Sequence, residues 1–352
     1  MREGNVQGKV RGMIPDADAG RESQSTEGAF GGYRRPSFAV FDFHAHFPVE
    51  EDFANSDEYI RTFGREKWEK IAREADRLQE DWWQAWSFLR PDTEREPPEA
   101  LMARWAAEVD RYGLDGIAFV TGGGNDLLAR VVASDPRRFV GFAHHSPEKA
   151  HAAEELRRAV TELGLRGYKI LAPLLKGSLA DERLYPVWQA AEDLEVPILI
   201  HFGILGGGGG IGNAPNIDPL VIHDVAKAFP DVTFVIPHFG CGYTRELLQL
   251  AWACPNVSVD TSGNNEWVRW FPYELDLKKL FRLFYETVGP RRIIFGSDSS
   301  WFPRGFAHRY LLDQIRACRE LRIGEDDMAL IFGGNAKRLL KLDDRAVPGE
   351  RG

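Results

Sequence analysis

Eight short apolar runs, alternating with amphipathic stretches, predict an α/β protein built as a (β/α)8 TIM barrel. The runs fall at residues 38–46, 115–121, 139–144, 166–171, 196–201, 232–238, 257–261 and 292–297. Most are near-continuous stretches of Val, Ile, Leu and Phe, which is the pattern of strands buried on both faces of a parallel sheet. The spacing agrees with this, because one strand–helix unit takes about 30 residues. Lys169, His201, His238 and Asp298 mark the ends of four runs and are separated by 32, 37 and 60 residues, or one, one and two units. They would sit on the C-terminal rim, where barrel enzymes carry out their chemistry.

The elements follow in order. Residues 1–36 are rich in Gly, Ser, Arg, Asp and Glu with few large apolar side chains, so a flexible, disordered leader is expected there. The barrel domain is expected over 37–342, with a polar tail over 343–352. Its first strand contains Phe41-Asp-Phe-His-Ala-His46, and simple alternation would place Asp42, His44 and His46 on one face and Phe41, Phe43 and Ala45 on the other. About seventy residues separate the first two strands, too many for one connection, so a helical insertion is expected over about 50–112. It contains one helix from Ser56 to Trp86 behind an Asn55-x-x-Glu58 cap, and another from Pro98 to Tyr112 behind Thr93-x-x-Glu96, ending at Gly113. Trp68, Trp82, Trp83, Trp86 and Trp105 read first as packing residues of a cap or subunit contact. Because the insertion leaves from the catalytic end, it is also placed to roof a pocket.

Hydrophobic residues make up 43% and charged residues 28% of the 352, so apolar material for a large core is ample. A net charge of −9 and a pI near 5.6, without a dense Lys/Arg block, argue against nucleic acid or anionic membrane as the main partner and leave a small molecule. No apolar run approaches the roughly 18 residues needed to span a bilayer, and the leader lacks the apolar centre of a signal peptide. Cys241, Cys254 and Cys318 are an odd number without metal-type spacing, which fits a reducing compartment and a cytoplasmic protein.

His201 and His238 are each the first polar side chain after a buried run, and Asp298 repeats the pattern with a carboxylate. Either histidine alone reads equally well as a satisfied core residue. Together, His44, His46, His201 and Asp298 offer three nitrogens and one carboxylate oxygen for a single divalent ion, suited to Zn²⁺ and open to Mn²⁺ or Fe²⁺. Such an ion makes a water nucleophilic at neutral pH. His238 is placed to polarise a substrate carbonyl, Asp298 to pass a proton, and Asp42 to orient a ligand histidine from behind. Lys169 is expected to contact the substrate or a bound anion, against the plainer reading of a lysine paired inside the barrel. Arg304, in Ser299-Ser-Trp-Phe-Pro-Arg304, is expected to clamp a substrate carboxylate, against an ordinary surface arginine. His144 and His145 end the third strand, where only one can face the lumen; His151, His223 and His308 read as structural. The five glycines from Gly206 to Gly210 contain a chance dinucleotide fingerprint, but no helix start follows, so they read as mobile backbone near the site.

With these residues in view, the chain resembles the amidohydrolase superfamily, in particular its amidohydrolase-related (amidohydrolase 2) branch. The resemblance rests on Asp42-Phe-His-Ala-His46, Gly167-Tyr-Lys-Ile170, Pro197-Ile-Leu-Ile-His201, Pro237-His-Phe-Gly240, Phe295-Gly-Ser-Asp298 and Gly334-Asn-Ala-Lys-Arg-Leu-Leu340, spread over roughly 38–342. It implies a distorted barrel with one metal on His44, His46, His201 and Asp298, and a catalytic His238. It also keeps open a carboxylated Lys169 bridging two metals, as in some relatives. The branch holds hydrolases, lactonases, hydratases and decarboxylases. The expectation is a metal-dependent hydrolase of an amide, lactone or ester in a small carboxylated molecule, with non-oxidative decarboxylation as the alternative. Such barrels often form dimers, so a homodimer is expected.

Overall fold

A computed structural model describes residues 33–49, 56–85, 87–205 and 216–342. The chain separates into two units, Met1–Arg35 and Pro36–Gly352, and the barrel is built wholly from the second. The expected leader, apart from its last few residues, the 343–352 tail, the Gly206–Gly210 run, the Asn55 cap and Trp86 lie outside the described residues.

All eight expected strands are present: β1 Phe41–His46, β2 Gly116–Thr121, β3 Phe139–Gly141, β4 Tyr168–Leu171, β5 Ile198–His201, β6 Phe234–Ile236, β7 Val257–Asp260 and β8 Ile293–Ile294. They pair in parallel as two ladders, β1-β2-β3 and β4 to β8 in order. Two narrow seams close them into a barrel. At the first, the Ala143 N–H donates to Gly167 and the Lys169 N–H to Ala143, at 2.8 and 2.7 Å. At the second, the N–H groups of Phe43 and His46 donate to Phe295 and Ser299, and that of Asp298 to His44, at 3.1, 2.7 and 2.8 Å.

Between β1 and β2 come α1 (Ser56–Phe63), α2 (Arg65–Ala85) and α3 (Pro98–Tyr112). The single long helix expected from Ser56 to Trp86 is divided at Gly64, whose φ of +94° only a residue without Cβ adopts readily. The expected Thr93 cap is not used, because Pro97 takes the N-cap position of α3 and Pro98 opens the helix. Glu96 instead pairs with Arg104. Leu101, Trp105, Val109 and Tyr112 recur at helical spacing and are all buried, so α3 is fixed by its apolar stripe. Gly113 then stops it in a left-handed turn, as expected. No α2 side chain is buried.

Outside the barrel run α4 (Asn125–Ser134), α5 (Ala152–Thr161), α6 (Tyr185–Leu194), α7 (His223–Ala228), α8 (Thr244–Ala253), α9 (Leu277–Val288), α10 (His308–Glu320), α11 (Glu325–Ala329) and α12 (Asn335–Leu339). Phe41, Phe43, Ala118, Val120, Val140, Phe142, Leu199, Val235 and Ile294 form one buried cluster with Ala336 and Leu340. Strands that are not neighbours can share a cluster only across the lumen, so these side chains fill the barrel below the rim. Full burial of one such Phe contributes about 2–3 kcal/mol. The cluster also corrects the expected alternation, since Phe41 and Phe43 face inward rather than away from the histidines. The β1 register slips between Asp42 and Ala45 and again between Ala45 and His46. This bulged strand brings Phe43, His44 and His46 all to the interior side.

Candidate metal centre

Built upward from β1, the site begins with His44, fully buried. Its Nδ1 lies 2.6 Å from Asp260 Oδ2 at the end of β7, also fully buried. A carboxylate accepts, so Nδ1 carries the proton and Nε2 presents a lone pair. That Nε2 is a buried atom with no hydrogen-bond partner. An orphaned acceptor inside a protein is costly, and a metal ion is the partner that this lone pair fits. Asp42, expected to orient a ligand ring, does not touch one. Its carboxylate accepts from the His44 backbone N–H and from the N–H and hydroxyl of Ser297, tying β1 to the loop after β8.

His46 is held in the same manner, with Nδ1 2.7 Å from Thr121 Oγ1 at the end of β2. Its Nε2 approaches Asp298 Oδ1 to 3.1 Å, and His44 Nε2 lies 3.8 Å from the same oxygen. His238 Nδ1 donates to the Ser262 carbonyl at 3.0 Å, leaving Nε2 as the ring's open position. His238 and Asp298 both adopt left-handed backbone with φ of +58°, each costing about 1–2 kcal/mol. Strain of this kind persists where surrounding structure holds a side chain in a required place. Ligand atoms of His44, His238 and Asp298 fall within 4.8 Å of one another. The expected quartet is therefore only partly assembled as drawn: His44, His46 and Asp298 converge, and His238 joins them. His201 turns its Nε2 to the Ile204 carbonyl at 3.0 Å, although its ring packs edge-on to His238 at 5.0 Å.

Burial first, then neighbouring positive charge, holds His44 and His201 well below the usual imidazole range, so both stay neutral and able to donate a lone pair. Desolvation pulls Asp298 upward, but the His46 hydrogen bond and the surrounding imidazoles prevail and hold it well below the usual carboxylate range. Asp260 is pushed up to about 6 by burial. Lys169, only 2% exposed on β4, is brought down to about 8 by burial, with Asp260 and Asp298 opposing.

Above the cluster lies a cleft of about 340 Å³ bounded by His201, His238, Asp298, Arg304, Trp301 and Tyr310. Trp82 and Trp83 of α2 line it too, so the insertion is a roof as well as a cap. Trp82 meets Phe88 and Trp301 at ring distances of 4.9 and 6.1 Å, and the Trp301 indole donates to the Leu89 carbonyl. Arg304 is no ordinary surface arginine. Its guanidinium stacks 3.5 Å over Trp301 and donates to the Asp298 carbonyl and the Ser300 hydroxyl, while its buried Nε has no partner. His144 and His145 are both spent on structure: His144 Nε2 accepts from the Gly122 and Gly124 N–H groups, and His145 Nε2 donates to the Ala152 carbonyl.

A family model described as Amidohydrolase matches residues 41–342. The chain belongs to that family. It is 35% identical over 241 residues to the 2-amino-3-carboxymuconate-6-semialdehyde decarboxylase of Dictyostelium discoideum, covering 62% of this chain and 66% of that one. It is 37% identical over 270 residues to a gamma-resorcylate decarboxylase of Polaromonas sp., covering 62% and 75%. In structure it resembles a 5-carboxyvanillate decarboxylase of Novosphingobium aromaticivorans, solved with manganese and 4-hydroxy-3-methoxy-5-nitrobenzoic acid. That likeness has a TM-score of 0.56 at 17% identity, covers 87% and 96% of the two chains, and carries the fold alone.

Sequence reasoning missed two supports of the amidohydrolase site, Asp260 and Thr121. Each ends a buried run, the same signal that singled out His201 and His238, and Asp260 closes Val257-Ser-Val-Asp260. Gly296 was missed as well. A Cβ there would come within 2.7 Å of His44 Cβ and 2.8 Å of Asp260 Oδ1, so only glycine lets the chain just after β8 pass this pair.

Proposed function

We propose that this amidohydrolase is a metal-dependent, non-oxidative decarboxylase acting on a small, planar carboxylic acid. The observation that carries the reading is that relatives above 30% identity, the Dictyostelium and Polaromonas enzymes among them, are named as decarboxylases. Hydrolysis, the first expectation from sequence, has support only at the level of the wider superfamily. The orphaned His44 Nε2, the adjacent His46 Nε2 and the ionised Asp298 form a donor set that fits a divalent cation. His201 completes it if its ring leaves the Ile204 carbonyl. Zn²⁺ suits three imidazoles and a carboxylate, and the manganese of the structural relative adds Mn²⁺ on equal terms. When bound, such an ion supplies Lewis acidity to the substrate's carboxylate and neighbouring oxygen.

The chain's own residues do the rest. Arg304 grips a substrate oxyanion from the cleft wall, and Lys169 contributes positive charge from β4. His238, its Nδ1 tied to Ser262, offers Nε2 to the substrate's polar edge. Asp298, ionised at rest, takes the proton of a substrate hydroxyl and delivers it to the carbon bearing the leaving carboxylate. The bond to that carboxylate then breaks, its electron pair restores the conjugated system, carbon dioxide departs, and solvent reprotonates the oxygen. The aromatic wall of Trp82, Trp301 and Tyr310 keeps the reacting carbon out of water.

A panel of hydroxybenzoates and unsaturated dicarboxylic acids, followed for carbon dioxide release, tests the proposal on metal-loaded protein. Carbon dioxide equimolar with substrate consumed is expected. Turnover that instead incorporates oxygen from labelled water without releasing carbon dioxide refutes it and restores hydrolysis. Metal analysis after purification without added ions identifies the ion, and sedimentation tests the expected homodimer.

A further inference from the structure

A second cavity of about 540 Å³ lies beside the imidazole cluster, between the loops after β3 and β4. It touches the site through two residues. Thr121 bonds the back of the His46 ring and also lines the cavity. Lys169 lines it as well, and it stands in register with Leu199, a lumen residue. Among the described residues, nothing forms a hydrogen bond or ion pair with the Lys169 ammonium, although the residue is 98% buried. Asp260 and Asp298 act on it only from Coulombic range. A buried ammonium without a direct partner is strongly disfavoured, and an anion is what relieves it.

The rim of the cavity has the same sign. Lys149 and Lys176 stand there against a single carboxylate, Glu148, whose oxygens are engaged by the Lys176 and Gly177 N–H groups. His144 and His145 also line it, with their Nε2 atoms already committed to backbone groups.

We propose that this cavity is a second carboxylate subsite and that the natural substrate is a dicarboxylate. One carboxylate reacts at the His44–Asp298 cluster, and the other rests on Lys169 with Lys149 and Lys176 as an outer funnel. The inference rests on the decarboxylase reading for the role of the first carboxylate, but it is tested by binding rather than turnover.

Calorimetric titration of the metal-loaded protein compares benzoate with the three benzenedicarboxylate isomers. At least one isomer binds about tenfold more tightly than benzoate, as expected for a charge-assisted contact inside protein. Lys169→Met brings that ratio close to one. The double variant Lys149→Gln, Lys176→Gln lowers it by a factor of about two to five, because exposed charges contribute little. Equal affinities for benzoate and every isomer in the unaltered protein overturn the proposal. So does a loss in Lys169→Met that is the same for benzoate and the dicarboxylates, which would put Lys169 on the reacting carboxylate. Should Lys169→Met fail to fold, an unchanged ratio in the rim double variant overturns it instead. Absence of carbon dioxide release leaves these affinities measurable, so the two readings fail separately.

Discussion

Asp260 is the most informative residue to perturb, because it acts on the candidate ion only through His44. Its two oxygens divide their work: Oδ2 takes the His44 Nδ1 proton at 2.6 Å and Oδ1 takes the Ser262 N–H at 2.7 Å. Asparagine has one carbonyl oxygen, so Asp260→Asn can satisfy only one of these two donors, and its NH₂ must face the other. With both residues fully buried, an abandoned donor costs about 1–3 kcal/mol. If that cost falls on the ligand geometry of His44, metal affinity drops by about 5- to 150-fold, in line with about 10- to 100-fold for second-layer partners elsewhere. Competition against a chromophoric chelator, with folding checked by circular dichroism, measures this directly. Affinity within twofold of the unaltered protein, on a folded variant, would refute the assignment of His44 as a ligand set by Asp260.

Three further outcomes are expected. His238→Ala should lower turnover by about 10²- to 10⁴-fold, the range for a proton-handling group, while keeping its metal; if the ion leaves with the side chain, His238 is a ligand and the geometric trio with His44 and Asp298 is the true site. Trp82→Ala, which opens the roof, should raise KM by about 2- to 10-fold, from about 0.5–1.5 kcal/mol of lost ring contact, and steady-state kinetics showing an unchanged KM would make the insertion a cap alone. Lys169 is charged below about pH 8 and loses its proton above it, so affinity for an anionic inhibitor should fall by about tenfold per pH unit beyond that point. Because its depressed value also disfavours the charged form in the fold, the associated destabilisation fades between about pH 8 and its ordinary value of 10.5. A flat affinity profile from pH 7 to 10 would remove Lys169 from anion binding.

The barrel was legible because its strands are buried on both faces. A run such as Pro197-Ile-Leu-Ile-His201 has no polar position to disguise it, and all eight such runs formed strands. The division at Gly64 was harder to see, since a lone glycine inside a helical pattern is tolerated at a cost of only about 1 kcal/mol. Within the site, alternation along β1 predicted that His44 and His46 share a face, and they do, but by way of a bulge that also turns Phe43 inward. No residue pattern in Phe41-Asp-Phe-His-Ala-His46 announces that bulge, which arises from pairing with β2 and the loop after β8. Asp260 was hidden for a related reason. A single acid after a strand is usually a turn or cap residue, and only its approach to His44 from two strands away marks it out.

The β8–β1 seam is held by three backbone hydrogen bonds, and it has His44 and His46 on one flank and Asp298 on the other. A cation shared by these side chains would clasp the cylinder at one of its two narrow joints, much as a buckle closes a belt. Chelation should therefore show itself first as local fraying. Amide protons of Phe43, His46 and Asp298 would exchange with deuterium well before those of the β5–β6 wall, so the ion that enables turnover would also keep its own container shut.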